Sequence, residues 1–110
     1  MKVDIKGHTA IIKDTQGNFS NFILKLSEQF NSFKDQNLIL DISKDENLNI
    51  KDLKEAKDLA KKHKKEKKTM VFVAENIDFN EIPDYLLVVP SILEAQDIIE
   101  MEEIERDLGF

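Results

Sequence analysis

Apolar positions in this chain fall into short dense runs separated by longer segments with a helical period. Leu38-Ile39-Leu40-Asp41-Ile42-Ser43 is followed by an amphipathic segment from Asn49, and then by Met70-Val71-Phe72-Val73-Ala74. Short β-rich runs flanking a helical pattern predict a strand–helix–strand unit with both strands parallel in one buried sheet. The connection is expected to be right-handed, because a right-twisted strand feeds a helix back onto the sheet only that way.

Ahead of this unit, Val3, Ile5, Ala10, Ile11 and Ile12 mark two short strands with Gly7-His8 between them, an antiparallel hairpin. Asp14 to Gly17 is turn chemistry. Phe19, Phe22, Ile23, Leu26, Phe30 and Phe33 then follow the i, i+3, i+4, i+7 rule, with Asn18 or Ser20 able to cap the start. This phenylalanine-rich face is expected to lie on the sheet; its alternative is a groove-binding face for a partner. Asp41 interrupts the central strand, either at a strand end close to solvent or as a functional carboxylate.

Asn49 is a good N-cap for the second helix, with Asp52 at its third position and Leu48 and Leu53 at the two ends of a hydrophobic staple. Leu53, Ala56, Ala60 and His63 share one stripe. Leu86 to Val89 is the last buried strand, ended by Pro90. Ser91-Ile92-Leu93-Glu94 is a capping-box signature for a final helix to about Leu108, with Gly109 past its end. Its apolar stripe changes direction. Ile92, Ala95, Ile98 and Ile99 lie on one side at 100° per residue, and Met101, Ile104 and Leu108 on nearly the opposite side. Either the helix bends near Glu100 and wraps the second set, with Phe110, onto its own domain, or residues 100–110 form a helical extension that docks a partner chain. The whole pattern predicts one α/β domain over residues 1–110, a mixed sheet of about five strands with helices packed on it.

Composition narrows the function classes. The chain holds 22 acidic and 16 basic side chains, a formal charge of -6, which disfavours broad nucleic-acid binding. It has no Cys, so disulfides and thiolate metal sites are excluded. With 3 Gly and 2 Pro there is no glycine-rich phosphate loop. No apolar run approaches the roughly 20 residues of a membrane span, and the alternating start is not a signal peptide, so a cytoplasmic location is expected. His8 and His63 sit on different elements and cannot build a metal site, and nothing resembles a nucleophile elbow. The expectation is therefore no catalytic residue, no cofactor and no metal. Lysines dominate Lys61 to Lys68, where they complement the carbonyl end of a helix.

The order of elements, the strand ending Leu40-Asp41-Ile42-Ser43 and the closing Val88-Val89-Pro90-Ser91-Ile92-Leu93-Glu94-Ala95 resemble the STAS domain, the family of anti-sigma factor antagonists and of sulfate-transporter tails. The resemblance covers about residues 1–99. It implies a non-catalytic, regulatory protein-interaction module. Antagonist members carry an aspartate-serine-serine-glycine motif at the head of the second helix, where a serine is phosphorylated. Here those positions hold Asn49, Ile50, Lys51 and Asp52, without a hydroxyl, so that switch does not carry over. The glutamate-rich last helix is also similar to that of small chains labelled ribonuclease Z, but that enzyme's histidine-rich dinuclear zinc site cannot be built here.

Two functions compete. The first is a STAS-like interaction module that binds a protein partner, a second copy of the chain included, with Asn49, Ile50, Lys51, Met101, Ile104 and Leu108 as candidate contacts. The second is an accessory anion- or RNA-binding module, linked to a ribonuclease Z system, that uses the Lys61–Lys68 run.

Overall fold

Two charged-and-apolar runs open the chain as a hairpin, β1 (Lys2–Lys6) and β2 (Thr9–Lys13), paired antiparallel with Val3 opposite Ile12 and Ile5 opposite Ala10. Gly7 takes the turn at φ +60, a left-handed conformation that glycine adopts without steric cost. This is a computed structural model, and it describes residues 1–109. Strands β3 (Asn37–Asp41), β4 (Met70–Val73) and β5 (Leu87–Val89) follow in parallel, giving one mixed sheet of order β1-β2-β3-β4-β5. The expected α/β architecture with five strands is the one observed.

Side-chain alternation divides the sheet into two faces. Leu38, Leu40, Ile42, Met70 and Phe72 point to the face covered by three helices: α1 (Phe19–Glu28), the short α2 (Ile50–Leu53) and α3 (Lys57–Lys65). Ile39, Val71 and Val73 point to the other face, covered by α4 (Ile92–Asp107). The central strands are thus sandwiched, which is why β3 and β4 are buried at every position. Each fully buried Leu or Phe contributes roughly 1.5–3 kcal/mol.

Helix α1 starts where expected. The side chain of Asn18 accepts from Asn21 N at 3.1 Å, and Asp45, from the loop after β3, accepts from Phe19 N at 2.9 Å. The helix ends at Glu28, and a 3-10 turn over Phe30–Ser32 carries the stripe onward, so that Phe30 and Phe33 are buried like Phe19 and Phe22. That settles the stripe as core rather than a partner groove. Phe19 meets Phe72 of the central sheet at a ring separation of 6.1 Å.

Three expectations need correction, and one alternative is decided. The second helix is not continuous from Asn49: a 3-10 turn over Lys54–Ala56 separates α2 from α3. The buried positions explain it. Leu53, Ala56 and Leu59 are spaced by three, and three residues per turn keeps all of them on the sheet, leaving Ala60 half-buried. Asp41 ends its strand but is buried, 8% exposed. Its Oδ1 accepts from Ser43 N at 3.1 Å and from the Ser43 hydroxyl at 2.6 Å, so the carboxylate shapes a turn. The last strand begins at Leu87 and is half-buried, because it is the sheet edge; Leu86 just before it is buried. Finally, α4 runs unbroken over Ile92–Asp107, so no bend near Glu100 returns the second apolar set to the sheet. Phe110 lies outside the described residues.

Candidate interaction surface

Helix α4 is capped by Ser91, whose Oγ accepts from Glu94 N at 3.2 Å, and it closes at Gly109, φ +83, whose N–H reaches Arg106 O at 3.1 Å. Its sheet-facing stripe runs Ala95, Ile99, Glu102, Arg106. The first half is apolar and packs on Ile39, Val71 and Val73. The second half is polar, because it lies over the starts of β3 and β4, where Asn37 and Thr69 are buried at 0% and 2% exposure. There the Thr69 hydroxyl donates to Glu102 Oε1 at 2.6 Å. Arg106 donates from Nη1 to Thr69 Oγ1 at 3.0 Å and from Nη2 to Asn37 Oδ1 at 3.2 Å, and Asn37 Oδ1 also accepts from Thr69 N at 3.0 Å. Buried polar groups need such partners, and α4 supplies them to Thr69 Oγ1 and Asn37 Oδ1, while Asn37 Nδ2 has none among the described residues.

With its inner stripe taken in this way, α4 turns its remaining apolar residues to solvent. Met101, Ile104 and Leu108 are 61%, 58% and 66% exposed, and Leu93 is 69% exposed. At 100° per residue these four fall within an arc of about 80° opposite the sheet. Exposed acids flank them at Glu94, Asp97, Glu100, Glu105 and Asp107. The result is an apolar ridge with an acidic border. Leu93 was missing from the sequence-derived set, although its spacing to Ile104, eleven residues or three turns, carries the signal.

The other candidates sit elsewhere. Asn49 caps α2 as expected: its side chain accepts from Asp52 N at 2.9 Å, and Asp52 Oδ2 accepts from Asn49 N at 3.4 Å. Lys51 is exposed beside it, whereas Ile50 is half-buried, packed like Leu48 against the margin of the core that holds Leu53. These three residues follow the C-terminal end of β3, on the face opposite α4. Met101, Ile104 and Leu108 lie over the strand starts. The six candidates therefore form two separate groups. Open parallel sheets commonly bind ligands beyond the carboxyl ends of their strands, but the crevice there, between Ile42 and Ala74, holds about 10 Å³, room for one water at most.

No protein-family model matches the chain, and no curated protein matches it. Its function must be read from its own surfaces.

The lysine run lies on α3 and the turn after it. Lys61, Lys64, Lys67 and Lys68 line a groove of about 830 Å³ between α3 and α4, and Lys62 sits 5.2 Å above the Phe30 ring. Behind them, His63 is fully buried, edge-on to Phe30 at 5.3 Å, with Nε2 2.7 Å from the Gln36 carbonyl. Burial pushes its pKa below the ordinary imidazole value, against a smaller upward pull from that carbonyl. It is a structural histidine. Among the described residues no helix is long and apolar enough to cross a membrane.

Proposed function

We propose that this chain is a non-catalytic, STAS-like protein-interaction module of regulatory role that engages its partner through the outward ridge of α4. One observation carries the reading: Leu93, Met101, Ile104 and Leu108 stand between 58% and 69% exposed in one line on a helix already fixed to the sheet by its opposite face. Singly exposed apolar residues need no explanation, but an aligned ridge with a charged rim is the form in which helices enter grooves. The acid border calls for a groove edged with Lys or Arg. Pairing α4 with α4 of a second copy would set acid against acid, so a different, basic-edged partner fits better. The element order and the strand ending Leu40-Asp41-Ile42-Ser43 support the STAS likeness. A serine switch has no part in it, since the head of α2 presents Asn49, Ile50 and Lys51, and the Ser43 hydroxyl is engaged with Asp41.

The test is affinity capture from the native cell with the tagged 110-residue chain, its Met101→Gln, Ile104→Gln, Leu108→Gln triple variant, and Lys51→Glu. A partner that is lost by the triple variant and retained by Lys51→Glu is the expected result. A partner held equally by the triple variant refutes the ridge as the binding surface.

A further inference from the structure

We infer that the groove between α3 and α4 is a binding site for a small phosphate monoester. Its volume of about 830 Å³ falls within the range of small-molecule sites, roughly 300–1,000 Å³. In a chain of formal charge -6, five cationic residues, Lys61, Lys64, Lys67, Lys68 and Arg106, line this one groove. Three acids also line it, Asp84, Glu102 and Glu105. Glu102 accepts from the Thr69 hydroxyl at 2.6 Å and pairs with Arg106 at 3.8 Å, so the excess positive charge comes from the four lysines, set against Asp84 and Glu105.

Arg106 is the built part of the site. Neutral oxygens hold its guanidinium in place, Thr69 Oγ1 and Asn37 Oδ1, on residues that are themselves 2% and 0% exposed. A guanidinium has five N–H donors, so this anchoring fixes its plane while leaving donors free, and the Glu102 carboxylate meets it at 3.8 Å without a bidentate fork. Orienting a cation beforehand lowers the entropy cost of gripping an anion.

The backbone points the same way. Helix α3 ends in a Schellman turn, with Lys67 N donating to Lys64 O at 2.9 Å and Lys68 N to His63 O at 3.3 Å. The left-handed position of such a turn normally belongs to glycine. Here it is Lys67, at φ 59, a conformation that costs a side-chain-bearing residue energy. The turn folds Lys67 and Lys68 back beside Lys64, so the costly residue is one that lines the groove. The lining also includes apolar Ala60, Met70 and Leu87, together with Tyr85. A bare phosphate would leave the apolar lining unused; a monoester would set its organic body against it. RNA fits less well, since single-strand binders interleave several aromatic platforms with their cations.

The experiment is an NMR titration of the uniformly ¹⁵N-labelled chain with phenyl phosphate as probe, run beside inorganic phosphate, phenol and a single-stranded RNA of about 20 nucleotides. The expected result is saturable binding of phenyl phosphate below about 1 mM, about tenfold tighter than inorganic phosphate, with shifts confined to Lys64, Lys67–Met70, Leu87 and Arg106. Lys64→Gln combined with Lys67→Gln is expected to weaken it about tenfold with an otherwise native spectrum. Arg106→Lys, which keeps the charge and loses the fork, is expected to weaken it as well, whereas Lys34→Gln on the exposed turn after α1 leaves it unchanged. The inference is overturned if binding does not saturate, if inorganic phosphate binds as well as the ester, or if the Lys64, Lys67 double variant binds normally. It is likewise overturned if RNA binds more tightly with shifts spread over the outer lysines Lys57, Lys62 and Lys65.

Discussion

Replacing Met101, Ile104 and Leu108 together by Gln tests whether the last turns of α4 are core or surface. Gln is as good a helix former as Leu or Met, so the change isolates tertiary burial from propensity. The three side chains are 61%, 58% and 66% exposed, so each keeps about two-fifths of its surface from water. Complete burial of such a side chain is worth roughly 1.5–3 kcal/mol, and an extended-chain reference overstates the area lost. Gln also retains part of the aliphatic stem. The three changes together are then expected to cost about 1–2 kcal/mol. Had the segment been core, each truncation would cost about 2–5 kcal/mol and the triple variant would not remain folded. Urea denaturation followed by circular dichroism measures the difference, and an unchanged slope shows that the same surface is exposed on unfolding. A loss above about 4 kcal/mol would refute the reasoning, because the ridge would then be holding the domain together.

Three further outcomes follow from single residues. His63 is buried and its pKa lies below the ordinary value of about 6.5, so the unfolded chain binds its proton more readily than the folded one. Desolvation dominates over the upward pulls of the Gln36 carbonyl and Glu66, with Lys68 and Arg106 pushing the same way as burial. Stability is then full above about pH 6.5 and falls as pH drops below it; urea midpoints between pH 8 and pH 5 should show a loss that His63→Gln flattens, and an unchanged pH slope in that variant would refute the assignment. Lys67→Gly relieves the left-handed backbone at φ 59 and is expected to raise stability by about 0.5–1 kcal/mol, read as a higher urea midpoint; no gain would show that the turn is unstrained. Asn49→Ala removes the side-chain cap of α2 and is expected to cost about 1 kcal/mol, while Asn49→Asp costs little; equal losses in thermal melts of the two would argue against capping.

The dense runs Leu38–Ile42 and Met70–Ala74 were legible as buried parallel strands because no polar alternation marks a solvent face. Asn49 and Ser91 were legible as caps, and the cap of α1 was narrowed to Asn18 or Ser20, because capping is local chemistry that spans three residues. The six-residue stripe from Phe19 to Phe33 named its own buried face. What the sequence could not assign was which face of the sheet each helix takes, since periodicity fixes a direction around a helix axis and says nothing of its partner. Only the tertiary structure placed α4 alone on the far side, so that Glu102 and Arg106 fall over the buried Asn37 and Thr69 and hold that half of the helix by hydrogen bonds. In the sequence, Glu102 and Arg106 look like part of a solvated acidic helix, and the change of apolar stripe at Glu100 looks like a bend. In the fold the stripe facing the sheet never turns. It changes from apolar to polar, because the strand starts beneath it present Asn and Thr, and the apolar residues beyond that point are left facing solvent. The same holds for the lysine run, whose local pattern describes a helix end. Its convergence with Arg106, 38 residues beyond Lys68, is a property of packing and could arise only once α3 and α4 were laid on opposite faces of one sheet edge.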